Sequence, residues 1–109
     1  VKPFIKEFNY YLNVLKNFSD WTIQRLETNK DDVSAAANDY LKTLGYISLA
    51  FSWIKVLNIS FKDYEENKKF YDDKINTAKF YFEKVLPRAE QHYKSAITGS
   101  LNIMNFKFS

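Results

Sequence analysis

The sequence predicts an all-α fold, an antiparallel bundle of three long helices, on three observations. Only two Gly and two Pro occur among 109 residues, too few for the tight turns that strands demand. Apolar residues recur at spacings of three and four along most of the chain. The segment Leu44–Ile59 carries only Ser48, Ser52, Lys55 and Asn58 as polar residues. Their spacing sets them on one narrow stripe of a helix, so nearly every other side needs covering. The length corresponds to a single domain, residues 1–109.

The first helix is expected to start at Pro3, a residue suited to a first helical position. Ile5, Phe8, Leu12, Leu15, Ser19, Thr22 and Leu26 form one stripe, and Tyr11, Val14, Phe18 and Trp21 a second beside it. The helix is expected to end near Thr28–Asn29, and Asp31 or Asp32 to cap the next one. In the first half of the second helix Val33, Ala36, Ala37, Tyr40, Leu41 and Leu44 share a face, with Asn38, Asp39 and Lys42 opposite. At about 100° per residue, Tyr46, Leu49, Trp53, Val56 and Leu57 then fall on the side that was polar. Gly45 marks the change, and a mid-helix Gly suggests a close helix contact.

Residues 61–69 read as a charged link. A third helix follows from about Lys68. Its stripe of Tyr71, Ile75, Ala78, Phe82, Val85, Ala89, His92 and Ala96 keeps phase through Pro87, which predicts a kinked continuous helix. Gly99 is a natural C-cap, and the apolar tail Leu101–Phe108 supplies a candidate fourth short segment.

Charge and composition exclude several classes. The net charge of +3 comes mostly from Lys interleaved with acids, as in Lys68, Lys69, Asp72, Asp73 and Lys74, which describes a solvated helix surface rather than a nucleic-acid footprint. The absence of cysteine removes disulfides, thiolates and Cys-ligated zinc, and fits a reducing, cytoplasmic setting. The run Leu44–Ile59 stops short of the ~20 residues that span a bilayer and contains Lys55, so no membrane span is expected.

No catalytic, cofactor-binding or metal-binding residues emerge. The lone His92 lies on the core stripe, and Glu90-Gln91-His92 has the wrong spacing for a di-metal bundle motif. Glu83 and Glu90 lie a heptad apart but have no partners suggesting chemistry. Tyr46, Leu49, Trp53, Val56 and Leu57 are the candidate partner-contact residues. The chain's own tail or the Phe61–Tyr64 link could cover this face instead. If a partner covers it, Trp53→Ala weakens assembly more than folding.

Several strings together resemble a known family: Tyr40-Leu41, Leu44-Gly45-Tyr46, Trp53, Phe70 through Phe82, Val85-Leu86-Pro87, Ile97-Thr98-Gly99, and Leu101 to Met104. They are similar to the helical domain appended to the C-terminus of FAD-dependent acyl-CoA dehydrogenases, in the subgroup of the 3-methylmercaptopropionyl-CoA dehydrogenase type. The resemblance implies a parent enzyme that oxidises an acyl-CoA thioester to its 2,3-enoyl form. In such a parent, FAD and the Glu base belong to the main body. It also implies that this domain packs on the catalytic body and on a second subunit of a homodimer. Val1 in place of an initiator Met fits a domain cut from a longer flavoprotein. The alternative is a free-standing helical protein-interaction module.

Overall fold

Pro3 sits in the first turn of α1 (Lys2–Thr28), where its missing N–H leaves no hydrogen bond unmade. The computed structural model describes the backbone of residues 1–108 and the side chains of residues 1–99. Of the two predicted stripes on α1, the one through Tyr11, Val14, Phe18 and Trp21 faces the core, and Phe8 and Leu15 of the other pack against it as well. Ile5, Leu12 and Leu26, from the other, are exposed.

A single residue joins α1 to α2 (Lys30–Lys62). Asn29, extended at φ −155° and ψ 92°, ends one helix and caps the next. Its N–H donates to the Arg25 carbonyl at 2.7 Å, and its side chain accepts from the Asp32 N–H at 3.4 Å. The cap is therefore Asn29 rather than Asp31 or Asp32. Those two acids occupy the first turn instead, where they complement the positive end of the helix.

α2 is the central element. Phe8 meets Phe51 at 5.9 Å between ring centroids, and Ser19 meets Tyr40 at 2.8 Å, so α1 and α2 run antiparallel. The buried line of α2 is Asp32, Ala36, Thr43, Ile47, Ala50, Ile54, Leu57 and Ser60. This differs from the predicted face: Leu41 is 65% exposed and Leu44 39%. Thr43 takes the inward place. Its hydroxyl reaches the Asp39 carbonyl at 2.9 Å and the Ala89 carbonyl at 3.2 Å, so a polar side chain is satisfied inside the core. Gly45 is exposed, and a Cβ placed on it meets nothing within 4 Å, so among the described residues no helix approaches it closely.

A short 3₁₀ turn (Tyr64–Glu66) lies within the predicted link. α3 (Lys68–Phe80) follows, capped by Asn67, whose side chain accepts from the Phe70 N–H at 3.2 Å. A π-helical turn (Tyr81–Val85) comes next, and then α4 (Arg88–Phe108). Pro87 has no N–H to donate, and its ring crowds the preceding turn. The chain answers with a wider turn, in which the Leu86 N–H donates to the Tyr81 carbonyl at 2.8 Å. At the wide turn Leu86 is fully buried and Val85 only half-buried, while Ala89 and Ala96 beyond it stay on the predicted stripe. α4 runs through Gly99 without a break, so the expected C-cap there is not one.

Thr43 against Ala89 and Trp53 against Tyr81 set α2 antiparallel to the α3–α4 strand of the bundle. Phe4 against Phe82 and Phe18 against Tyr93 set α1 parallel to it. The main core runs from Ile47 to Leu57 on α2 and from Ile75 to Ala89 on the third strand. A smaller cluster of Phe18, Ala36 and Ala96 closes the other end. Full burial of Phe18, Leu57 and Leu86 contributes about 2 kcal/mol each from apolar transfer alone. The bundle is elongated, 63 × 21 × 19 Å.

Candidate functional site

The five candidate partner-contact residues do not share one environment. Leu57 is fully buried in the main core. Tyr46 and Trp53 are half-buried and pack against the same cluster. Trp53 lies 6.4 Å from the Tyr81 ring, and the Tyr81 hydroxyl donates to the Tyr46 carbonyl. Val56 is half-buried and Leu49 is 54% exposed. The chain thus covers most of this face itself, with its third strand and with Tyr64 of the 3₁₀ turn. Phe61, the other residue of the expected link cover, is exposed. The expected cover by the tail Leu101–Phe108 lies outside the described side chains.

The open face of α2 is centred elsewhere, on the polar stripe itself. Gly45, Ser48 and Ser52 are all exposed and small, and form a shallow floor. Leu41 and Ile59 stand at its two ends, Leu44 and Phe51 on the flank toward α1, and Leu49 and Val56 on the other flank. Ser52 turns its hydroxyl back to the Ser48 carbonyl at 3.4 Å. Lys55 Nζ lies 4.6 Å from the centre of the Phe51 ring. Farther along, Thr22, Val33, Ala36, Ala37, Tyr40 and Leu41 line an apolar cleft of about 260 Å³ between α1 and α2. Periodicity alone marks both sides of α2 as apolar. Which side the third strand covers depends on Thr43 being accepted inward, and that only the fold reveals.

Polar groups tie the helices together elsewhere. His92 Nδ1 lies 2.8 Å from Asp39 Oδ1, and the His92 ring stacks on Tyr46 at 5.9 Å and 18°. The core-stripe position expected for His92 is therefore a polar α2–α4 junction. Tyr10 donates to Glu90, and Lys94 pairs with Glu90 at 2.9 Å. These two partners, the hydroxyl first, hold the Glu90 carboxyl below its ordinary pKa. Arg25 lies 3.7 Å from Asp32, whose side chain is almost fully enclosed. A cleft of about 200 Å³ beside it is lined by Asp32, Ala35, Ala36, Asp39, Ser95, Ala96 and Gly99. Among the described residues, no three His, Asp or Glu side chains form a group able to hold a metal ion.

α2 extends well beyond the run Leu44–Ile59. It is a 33-residue helix containing an 18-residue window of mean hydropathy 1.3, long and apolar enough to cross a membrane by length and composition. In the bundle, α1, α3 and α4 all pack along it.

Fold and surface together define an all-helical domain built around one apolar central helix, with an open trough on that helix. Over residues 1–107 the chain matches the family described as Acetyl-CoA dehydrogenase C-terminal like. It belongs to that family. No curated protein and no solved structure matches it.

Proposed function

We propose that the chain is the non-catalytic C-terminal packing and assembly domain of an FAD-dependent acyl-CoA dehydrogenase-like enzyme of the 3-methylmercaptopropionyl-CoA type. The single observation that carries this reading is the family match, which spans residues 1–107. The parent reaction is 2,3-dehydrogenation of an acyl-CoA thioester in the cytoplasm, with FAD and the catalytic base in the parent's main body. This domain docks on that body and on the second subunit of a homodimer. The exposed apolar trough on α2 supports a docking role, because large apolar side chains around a small-residue floor suit a protein contact.

Two measurements test the reading. A reading frame continuous with Val1 that encodes a flavin-binding body supports it. Reduction of bound flavin or turnover of an acyl-CoA by these 109 residues alone overturns it. The same trough would also serve a free-standing interaction module, and a start codon immediately before Val1 selects that second reading.

A further inference from the structure

The trough on α2 has a chemistry that specifies its occupant. From Tyr40 to Lys62 the helix contains Lys42, Lys55 and Lys62 and no Asp or Glu. All three lysines are exposed. None takes part in an ion pair among the described residues, where the four pairs are Arg25–Asp32, Lys68–Glu65, His92–Asp39 and Lys94–Glu90. On the helical projection Lys42 lies on the Leu49 flank of the trough, and Lys55 and Lys62 on the Phe51 flank. A small-residue floor walled by exposed apolar side chains, with Lys42 on one flank and Lys55 and Lys62 on the other, complements an apolar ridge bordered by carboxylates.

Gly45 adds the shape. It sits in the middle of a 33-residue helix, where Gly is unfavourable, and among the described residues nothing fills the space before it. Together with Ser48 and Ser52 it lets a second helix axis come close. A lipid surface needs no such recess. A second copy of this face would bring like charges together. From Leu41 to Ile59 the trough extends roughly 27 Å at the helical rise, room for about five turns of a partner helix.

We infer that α2 docks an amphipathic helix carrying acidic residues on both sides of its apolar ridge, laid along Leu41–Ile59 with its closest approach at Gly45. This rests on the reading of the chain as a docking domain and names the chemistry of the partner.

The test titrates the chain with a helical peptide of about 20 residues that has a Leu ridge flanked by Glu, and with a matched peptide bearing Lys at every Glu. Vesicles of phosphatidylglycerol and phosphatidylcholine form a third arm. Saturable binding of the Glu peptide is expected, with amide shifts centred on Gly45, Ser48 and Ser52. Gly45→Leu fills the recess at an exposed position, so it is expected to raise Tm while weakening binding about tenfold. Lys55→Glu with Lys62→Glu is expected to weaken binding by a similar factor of about ten. Equal binding of the Lys peptide overturns the inference, as does binding to vesicles alone, unchanged affinity of Gly45→Leu, or dimerisation of the chain through this face. Failure of the peptide arm, with assembly of a flavin-containing parent still dependent on this domain, removes the inference and leaves the proposed function standing. Peptide binding in a chain with no flavoprotein parent does the reverse.

Discussion

The Tyr81 hydroxyl donates to the Tyr46 carbonyl from a nearly enclosed ring, and this one bond ties the π-helical turn to the middle of α2. Burial, and more weakly Tyr46, push the Tyr81 phenol up to about 12 from its ordinary value of 10.0. The folded state holds it neutral. Its contribution is complete below pH 10.0, where the unfolded phenol is neutral too, and is lost as pH rises to about 12. The two-unit difference corresponds to about 3 kcal/mol. Tyr81→Phe is expected to cost about 1 kcal/mol at neutral pH and to flatten the alkaline decline. Urea unfolding at about pH 8 and about pH 11 measures both effects; an unchanged alkaline slope in the variant would assign the decline to other groups. Gly45 makes the opposite case. With open space around its Cβ, Gly45→Ala is expected to raise stability by about 0.5–1 kcal/mol, read as a higher urea midpoint at constant m. A loss of stability would show that the backbone there needs the freedom of glycine.

At the level of elements, the π-helical turn before Pro87 decides which side chains fill the core of the third strand. The stripe through Ile75, Ala78, Phe82, Ala89 and Ala96 is legible as a spacing of threes and fours, and all five are buried. Val85 is the residue that periodicity selects between Phe82 and Ala89, yet Leu86 is the one enclosed. A 3.6-residue period cannot show the residue that a π-turn inserts, although Pro87 marks where it happens. Leu86→Ala is therefore expected to cost about 3 kcal/mol, and Val85→Ala about 1 kcal/mol. Denaturant midpoints of the two variants check this, and equal costs would return Val85 to the core stripe. The junction at Asn29 follows similar logic. The polar stretch from Thr28 to Asp32 signals a break, but a one-residue connection leaves a single side chain to cap α2, and Asn29 occupies that place.

Across the whole molecule, three helices share out the surface of α2, and the share left over determines what the domain can dock. The helical class, the helix order and the two-sided apolar character of Leu44–Ile59 are readable from spacing. The identity of the open side is not, because it depends on which flank the third strand covers. Thr43 finds an acceptor on Ala89, so that strand packs over Tyr46, Trp53 and Leu57 and leaves Leu41 and Leu44 outside. Substitutions on the two sides are therefore expected to separate folding from assembly. Leu41→Glu with Leu44→Glu places charge on a solvated surface, so unfolding of the isolated chain is expected to stay within about 0.5 kcal/mol of the parent sequence. The same pair removes apolar contact at one end of the trough and adds carboxylates against the proposed acidic partner, so assembly with the proposed flavoprotein body is expected to fall sharply. Trp53→Ala empties a half-buried place against Tyr81 and is expected to cost about 2 kcal/mol of stability, with assembly lost only as far as the chain unfolds. Thermal unfolding of the isolated chain gives the first quantity, and light scattering of the assembled enzyme gives the second. If Trp53→Ala leaves stability intact and abolishes assembly while the Leu41/Leu44 variant assembles normally, the docking side is the one through Tyr46 and Leu57, and the third strand must move away from it in the assembled enzyme.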